Sequence, residues 1–350
     1  MRLCLAIPTH DNKVYYEFMK SFSSVILYLS SQKIDYIMLH RVGSHINRSR
    51  NQIVSYFLAS NCTHLLFLDS DISGFEYFVK KIVELERENR LPLLVGGIYP
   101  IKEYNWDELR NVHRNLDQFK GQKLTETQEK LYSMEFNINL LPDKKNIGHI
   151  LTESEKFQGL YPVLHIPGGC MCVDRRVFTK LIAAYPNRKY DKGANEGVVD
   201  LEQSSSDLLY NFFDSFINDY DGNRQYLSED YGFCELWTRT GGSIYADLST
   251  TLGHFDGGHE YRGNYLEKLE LKVAMFMKSK EAEEKLKVQG GRGAGGMVGG
   301  GGMGGGSGGD ETLRFLEKIG VKNARYKEDT KEEINNNDND SAVTEIPSLN

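Results

Sequence analysis

The chain has 350 residues, a formal net charge of −7 and 40% hydrophobic residues, including 17 Phe and 20 Tyr. That length suggests about two domains, or one large α/β domain with tails. An acidic chain without a basic stripe argues against nucleic-acid binding, and no apolar run reaches the roughly 18 residues of a transmembrane helix. The N-terminus is too short in apolar length for a signal peptide. The five cysteines lie in apolar segments, typical of reduced core thiols in a cytoplasmic protein.

The first hundred residues alternate between short apolar runs and segments with helical periodicity. Strands are predicted at residues 3–7, 36–39, 64–68 and 93–98, and helices at 15–29, 47–60 and 74–89. Ser44 or Asn47 is expected to cap the second of these helices. The alternation predicts a parallel sheet built from right-handed βαβ units.

The rest of the chain is less regular. Residues 103–160 have poor periodicity and predict an insertion or mobile region on the acceptor side of a site. Strands are predicted at 163–166, 170–173 and 243–246, helices at 174–184 (capped by Asp174) and 230–240, a loop at 186–206 and a turn-rich segment at 253–263. The glycine-rich stretch 288–309 predicts a flexible linker, and 310–350 predicts one short helix and a disordered tail.

Two carboxylates follow the most apolar strand, in the run His64-Leu65-Leu66-Phe67-Leu68-Asp69-Ser70-Asp71. Open α/β sheets bind ligands at the carboxyl ends of their strands. Paired carboxylates there favour a hard cation, Mn²⁺ or Mg²⁺, which keeps positions open for phosphate oxygens. The alternative is a solvated turn that leads into the next helix, with Ser73 as its cap.

Two further polar groups occur downstream. Ser228, Glu229 and Asp230 precede a helical segment, where the helix dipole keeps a carboxylate ionised and able to accept a proton. The alternative for them is a plain capping motif. His254 lies among glycines, where it can approach a metal or a diphosphate, and its alternative is a structural histidine.

The order of these motifs resembles a known family. They are Ile7-Pro8-Thr9, Ser49-Arg50-Asn51, Asp69-Ser70-Asp71, Gly96-Gly97-Ile98-Tyr99-Pro100, Pro167-Gly168-Gly169, Ser228-Glu229-Asp230-Tyr231 and Gly253-His254. Over residues 1 to about 265 the chain resembles the nucleotide-sugar-dependent glycosyltransferases of GT-A fold, closest to the family-2-like enzymes of bacteria, phages and large DNA viruses. The resemblance implies a Rossmann-like, mostly parallel sheet flanked by helices.

The resemblance also implies a donor site for a UDP- or GDP-linked sugar. Its residues would be Pro8 and Thr9 beside the base and ribose, Arg50 and Asn51 in the nucleotide pocket, Asp69, Ser70 and Asp71 at the ribose and cation, and Lys102 at the diphosphate. His254 would complete the metal shell with Asp69 and Asp71. On the acceptor side, Asp230 would be the catalytic base with Glu229 beside it, and Gly168-Gly169 would let the sugars approach the backbone.

These expectations define a metal-dependent glycosyltransferase, of inverting type if one base acts in a direct displacement. Residues 1–102 would form the nucleotide-sugar half and 161–287 the acceptor and catalytic half of one domain. The acceptor is expected to be a glycan or glycoconjugate, and the location the cytoplasm, or the host cytoplasm if the protein is viral. The rivals are a haloacid-dehalogenase-like phosphatase with Asp69 as nucleophile and a non-catalytic sugar-binding protein.

Overall fold

A computed structural model of the protein describes residues 1–118, 124–191, 207–219 and 224–291. Its main sheet contains the strands β1 (Leu3–Thr9), β2 (Tyr36–Val42), β3 (His64–Leu68), β5 (Leu94–Gly97), β8 (Asn139–Leu140), β9 (Leu160–His165), β10 (Cys170–Asp174) and β13 (Ile244–Asp247). The helices are α1 (Tyr16–Ser31), α2 (Ile46–Ala59), α3 (Phe75–Arg87), α4 (Trp106–Gln118), α5 (Glu126–Ser133), α6 (Ile147–Lys156), α7 (Arg175–Ala184), α8 (Glu229–Arg239) and α9 (Tyr265–Gly291).

Small sheets lie at the rim of the main one. The first pairs β4 (Ile72–Ser73), β14 (Leu252–Asp256) and β15 (His259–Gly263), the second pairs β6 (Pro100–Tyr104) with β7 (Met134–Phe136), and the third pairs β11 (Phe216–Asn218) with β12 (Gln225–Leu227). Because β4 follows β3 directly, and β6 follows β5, the first two small sheets extend from the same end of the main sheet. They carry Lys102 and His254 of the candidate site.

The main sheet has the strand order β2-β1-β3-β10-β5-β13-β9-β8. β1 pairs in parallel with β2 and β3, and β5 pairs in parallel with β13. β10 is antiparallel to both β3 and β5, and β9 is antiparallel to β13. Most strands of the sheet therefore run in the same direction. Because β10 and β9 run in the opposite direction, it is not the uniform βαβ sheet that the sequence predicts.

Both faces of the main sheet are buried, as expected of parallel strands covered by helices. On one face, Cys4, Leu65 and Phe67 pack against α2, α7 and α8. On the other face, Leu5 and Leu66 pack with the apolar stripes of α1 and α3. This two-sided burial explains why β3 is apolar at every position from Leu65 to Leu68.

The predicted strands and helices of the first hundred residues are present, and so is the helix after Asp174, whose carboxylate accepts a hydrogen bond from the Arg176 amide at 2.7 Å. The predicted cap of α2 is wrong. Its N-cap is His45, without a side-chain hydrogen bond. Ser73 does not cap α3 either, because it belongs to β4 and donates to Glu260 at 2.8 Å, whereas Gly74 is the N-cap.

The segment 253–263 is a hairpin of β14 and β15 rather than a loop of turns. Its turn is Gly257-Gly258, between the paired Asp256 and His259; Gly-Gly is a dipeptide typical of hairpins, and Gly257 has a φ of 64°. The hairpin edge also pairs with β4, so His254 is opposite Ile72 in the ladder. This pairing brings the histidine next to the turn that follows β3.

Residues 103–160 carry α4, α5, β7, β8 and α6. The last of the two strands, β8, is the edge strand of the main sheet. Helix α9 continues to Gly291, four residues into the stretch predicted as a linker, and the remaining predicted linker to 309 and the tail 310–350 lie outside the described residues, as does most of the loop predicted at 186–206. All five cysteines are buried and unpaired. Within the described residues, no helix combines the length and apolarity needed to cross a membrane.

Candidate active site

The two aspartates at the end of β3 are held by different parts of the protein. The backbone N–H of Asp69 donates to Gly169 O at 2.9 Å, and its carbonyl accepts from Ile72 N at 3.1 Å. This tight turn sends the two side chains in different directions. The carbonyl of Asp71 accepts from Phe255 N at 2.9 Å, which fixes the turn against β14.

Asp69 belongs to an internal group that we call the Arg50 cluster (Arg50, Asp69, Gly168 and Glu229). Arg50 is 2% exposed. Its Nη2 donates to both carboxylate oxygens of Asp69, at 3.0 and 2.9 Å, and its Nη1 donates to Gly168 O at 3.0 Å. Its Nε lies 3.4 Å from Glu229 Oε1. The guanidinium also lies over the ring of Phe67, 5.1 Å from its centroid.

The electrostatics of this cluster are those of a desolvated ion network. Burial raises the pKa of the Asp69 carboxyl, although the Arg50 charge opposes that rise. Burial and the neighbouring Asp230 raise the pKa of Glu229. A carboxylate with a raised pKa is a better proton acceptor than an ordinary one, because it binds the proton more tightly.

Asp71 belongs to a more open group that we call the Asp71 cluster (Asp71, Lys102 and His254). Lys102 Nζ donates to Asp71 Oδ2 at 2.7 Å. His254 Nε2 lies 3.4 Å from the same oxygen. Burial acts to raise the pKa of the Asp71 carboxyl, but the hydrogen bonds and charges of His254 and Lys102 outweigh it and lower that pKa to about 2. Asp71 therefore stays ionised.

The orientation of His254 is fixed by a backbone carbonyl. Its Nδ1 lies 2.9 Å from Pro100 O, and because a carbonyl only accepts, Nδ1 is assigned as the protonated nitrogen. When Nε2 carries a proton it donates to Asp71, and when it does not, its lone pair faces the Asp71 carboxylate. Two lone-pair atoms aimed at each other attract a cation or a proton between them.

The loop Pro167-Gly168-Gly169 packs against Arg50 and Asp69. A Cβ on Gly168 would be 2.8 Å from Arg50 Cζ, and one on Gly169 would be 2.5 Å from Tyr99 Oη and 3.0 Å from Asp69 Oδ2. The glycines thus permit close packing of protein side chains against the loop. Gly169 N donates to Tyr99 Oη at 3.1 Å.

Asp230 is at the first turn of α8, where the helix N-terminus stabilises a carboxylate. Its Oδ2 accepts from Gly168 N at 3.0 Å, and its Oδ1 accepts from Tyr231 N at 2.9 Å and from the Ser228 hydroxyl. Ser228 is the N-cap, but its hydroxyl contacts this carboxylate instead of a helix amide. Asp230 therefore links the loop at Gly168 to the N-terminus of α8.

Four other predicted site residues have the following positions. Asn51 is 2% exposed, and its amide makes four hydrogen bonds with residues 211–213, at 2.9 to 3.0 Å. These use all its donors and acceptors, so the structure gives Asn51 a structural role in place of the predicted nucleotide contact. Pro8 and Thr9 end β1, where the Thr9 hydroxyl lies 2.9 Å from His40 Nε2. Ser70 accepts at its carbonyl from Tyr15 N at 3.2 Å.

The predicted metal ligands fit a divalent cation in part. Asp71 and His254 fit, because the imidazole is oriented by a carbonyl, as metal-ligating histidines are. Asp69 does not fit, since Arg50 holds both of its oxygens. Among the described residues, no group of three or more His, Cys, Asp or Glu side chains is arranged to hold a metal ion. The protein alone thus offers two ligands, as magnesium sites completed by water and phosphate often do.

Two tyrosines around the site were given no role in the sequence analysis. Tyr99 is 5% exposed and orients Gly169, and burial raises its pKa well above the usual value. Tyr231 donates to Asn137 Oδ1 at 2.5 Å and stacks on His165, with ring centroids 4.8 Å apart. Tyr99 and Tyr231 both lie in quoted motifs, but nothing in the sequence indicates which way a tyrosine hydroxyl points.

Comparison with known proteins identifies no family for this chain. No protein-family model matches the chain, and no curated protein matches it. Among solved structures, the crystal structure of A197 from STIV is similar, with 17% sequence identity, a TM-score of 0.36 and coverage of 73% of this chain and 86% of that chain. At this TM-score the similarity carries no argument about function.

Proposed function

We propose that this chain is a metal-dependent glycosyltransferase of GT-A type, which moves a sugar from a nucleoside-diphosphate donor to a hydroxyl group of a glycan or glycoconjugate. The observation that supports this most is the Asp71 cluster. Residues from β14 and β6 meet the carboxylate after β3 at one oxygen atom, Asp71 Oδ2. They do so at the end of the sheet where open α/β proteins bind nucleotides.

In this proposal Asp71 and His254 hold Mn²⁺ or Mg²⁺, with water and diphosphate oxygens as the other ligands. The bound cation would stabilise the negative charge that develops on the leaving diphosphate. Lys102 contributes a second positive charge to the same phosphate oxygens, since its ammonium group already lies 2.7 Å from Asp71. Asp69 does not ligate the cation. Through Arg50 it fixes the turn that presents Asp71.

The transfer forms a bond from the acceptor oxygen to the anomeric carbon and breaks the bond from that carbon to the diphosphate. The acceptor hydroxyl gives up its proton to Asp230, whose Oδ2 keeps a second lone pair beside the Gly168 contact. Glu229, with its raised pKa, is the neighbouring candidate for the same role. One displacement with one base inverts the anomeric centre.

The phosphatase alternative has less support. A nucleophilic aspartate needs a free carboxylate oxygen, and Arg50 donates to both oxygens of Asp69. A purely sugar-binding protein would not require Lys102 and His254 beside Asp71. Both alternatives give distinct results in the experiment that follows.

The test is the thermal stability of the purified protein with a panel of nucleoside diphosphates and nucleotide sugars, with and without Mn²⁺. A ligand at a hundred times its dissociation constant adds about 2.7 kcal/mol of stability. We expect one nucleotide to stabilise the protein only with metal, and Asp71→Asn to abolish that effect. Glu88→Gln, which removes an exposed carboxylate paired with Arg90 at 3.0 Å, is the matched control. Stabilisation by none of the nucleotides would refute the proposal, and release of phosphate from simple phosphomonoesters would favour the phosphatase.

The choice of base is tested by product formation with the nucleotide sugar found in this way. Asp230→Asn should bind the donor normally but lower the transfer rate by about 10²-fold or more, the usual contribution of general base catalysis. Glu229→Gln should have the smaller effect. The opposite ranking would assign the proton transfer to Glu229.

A further inference from the structure

A group of partly exposed aromatic rings lies beside the Asp71 cluster. We call Tyr104, Trp106, His259 and Tyr261 the aromatic platform. The Tyr104 ring lies 5.2 Å from that of Trp106, 5.8 Å from that of His259 and 5.0 Å from that of Tyr261, measured between centroids. Trp106 is 55% exposed. Large aromatic rings gain most of their stabilisation from burial, so rings that cluster at the surface are available to a ligand.

The platform is ordered by its own contacts. Tyr104 Oη and His259 Nε2 lie 2.9 Å apart, and the rings of His259 and Tyr261 meet edge to face with centroids 4.6 Å apart. These contacts join the end of β6 to β15. Because the rings are oriented before any ligand arrives, less conformational entropy is lost on binding.

A cavity of about 330 Å³ adjoins these rings. Tyr104 and His259 line it together with side chains of both charges, including Lys130, Glu260 and Arg262. Its volume is at the lower end of the range for small-molecule sites. A mixture of donors and acceptors without an excess of positive charge suits the hydroxyl groups of a neutral ligand better than a phosphate.

The platform continues from the Asp71 cluster. Lys102 and Tyr104 both lie on β6, and the Tyr104 ring is 5.0 Å from that of Tyr261 on β15. His254 is directly opposite Tyr261 in the β14–β15 ladder, and opposed residues of an antiparallel pair share one face. A ligand on the platform is thus next to the residues proposed to hold the diphosphate and the cation.

We propose that the aromatic platform and its cavity bind a sugar ring of the acceptor. This inference rests on the proposed function, because only a transferase has an acceptor substrate. A sugar ring has an apolar face of C–H groups and a rim of hydroxyls, which match a flat aromatic surface beside a polar cavity. The nucleoside is expected at the end of β1, on a different element, which leaves the platform for the second substrate.

The experiment uses the intrinsic fluorescence of the full chain. It has two tryptophans, and Trp237 is 3% exposed, so a ligand on the platform changes the emission of Trp106. A printed glycan array is probed with the labelled protein, and the bound oligosaccharides are then titrated in free form. We expect saturable binding that Tyr104→Ala and Trp106→Ala each weaken by about tenfold, which corresponds to 1.4 kcal/mol. The affinity of Trp106→Ala, which lacks the reporting tryptophan, is measured by titration calorimetry.

Tyr77→Ala is the matched control, because Tyr77 is also exposed, at 59%, and lies on α3. Its affinity for the oligosaccharide should equal that of the unchanged protein. Circular dichroism establishes that each variant is folded. Absence of binding to every glycan, or equal affinities in the platform variants and the control, would overturn the inference.

Failure of the inference can be told apart from failure of the proposed function. Asp71→Asn should lose nucleotide stabilisation but keep its affinity for the oligosaccharide. Glycan binding without any nucleotide effect would refute the transferase and leave the platform in place. A nucleotide effect that is lost in Trp106→Ala would show that the rings hold the donor base, and would overturn the inference.

Discussion

Asp69 and Asp71 are separated by one residue but lie in opposite environments. Asp69 faces the buried Arg50, and burial raises its pKa. Asp71 faces Lys102 and His254, and its pKa is lowered to about 2. The comparison teaches that a pair of carboxylates in one motif need not act as a pair. One stabilises the turn, and the other is presented to a ligand.

The largest expected effect separates the two clusters by stability. Arg50→Met should lower the free energy of unfolding by about 1.5–3 kcal/mol, since it removes the 3%-exposed guanidinium that pairs with Asp69 and Glu229, whose side chains are 25% and 14% exposed. Denaturation with urea at pH 7 measures this loss. A loss below about 1 kcal/mol, on the order of an exposed pair, would mean that Arg50 is not the partner on which the turn depends.

The second prediction concerns the packing of the loop over the Arg50 cluster. Gly169→Ala should cost about 1–3 kcal/mol, because the new methyl group overlaps Tyr99 Oη and Asp69 Oδ2. Gly258→Ala is the control, since a Cβ there meets no atom within 4 Å. Adding Tyr99→Phe to Gly169→Ala should recover part of the loss in the same denaturation assay, and no recovery would place the clash elsewhere.

The third prediction is that the free energy of unfolding falls in mild acid, because the buried His165 becomes protonated on unfolding. Burial lowers the pKa of His165, although Glu235 and Asp230 act to raise it, so the folded protein binds this proton less readily than the unfolded chain. The contribution of His165 to the free energy of unfolding should be constant above pH about 6.5, the pKa of a histidine in the unfolded chain. It should fall below that pH with a slope of at most about 1.4 kcal/mol per pH unit.

Denaturation midpoints between pH 7.5 and 5 measure this slope, and His165→Gln should reduce it. Asn139 Nδ2 lies 3.1 Å from His165 Nδ1, and the side-chain oxygen of a glutamine can accept the same hydrogen bond. An unchanged slope in the variant would assign the acid sensitivity to another group.

The smallest effect is expected in the Asp71 cluster. Lys102→Met should change the free energy of unfolding by less than about 1 kcal/mol, because the Lys102 and Asp71 side chains are 32% and 26% exposed and such pairs contribute little. Salt should reduce even this contribution. A loss as large as that of Arg50→Met would erase the distinction between the two clusters.

The hydrophobic pattern was sufficient for seven of the eight described strands of the main sheet and for the helices that cover it, but not for the small sheets or for α4, α5 and α6. Short apolar runs located β1 and β3, and helical patterns located α1, α3 and α7, all within a few residues. Each of these elements buries a continuous apolar surface. The direction of β10 is not encoded in its own apolar residues. It depends on the chain reversal and on long-range pairing with β3 and β5, which a local pattern does not contain.

The candidate site was predictable by residue type more than by role. The positions of Asp69 and Asp71 follow from the strand that precedes them. That Arg50 would pair with Asp69, and that Asn51 would hold residues 211–213, follows only from contacts between distant segments. The hairpin of β14 and β15 had a local sign in Gly257-Gly258, but residues 253–263 were interpreted only as a turn-rich segment.

The central position of β10 has a consequence for how the protein is made. β3 and β5 are neighbours only through β10, and that strand begins at Cys170, long after β5 has ended at Gly97. During synthesis, the first hundred residues emerge from the ribosome with strand edges that have no partner yet. Such edges invite association with other chains. The strands β3 and β5 are thus expected to be joined only when the polypeptide has passed residue 174, and the sheet beyond β5 only when β13 has been made, at residue 247.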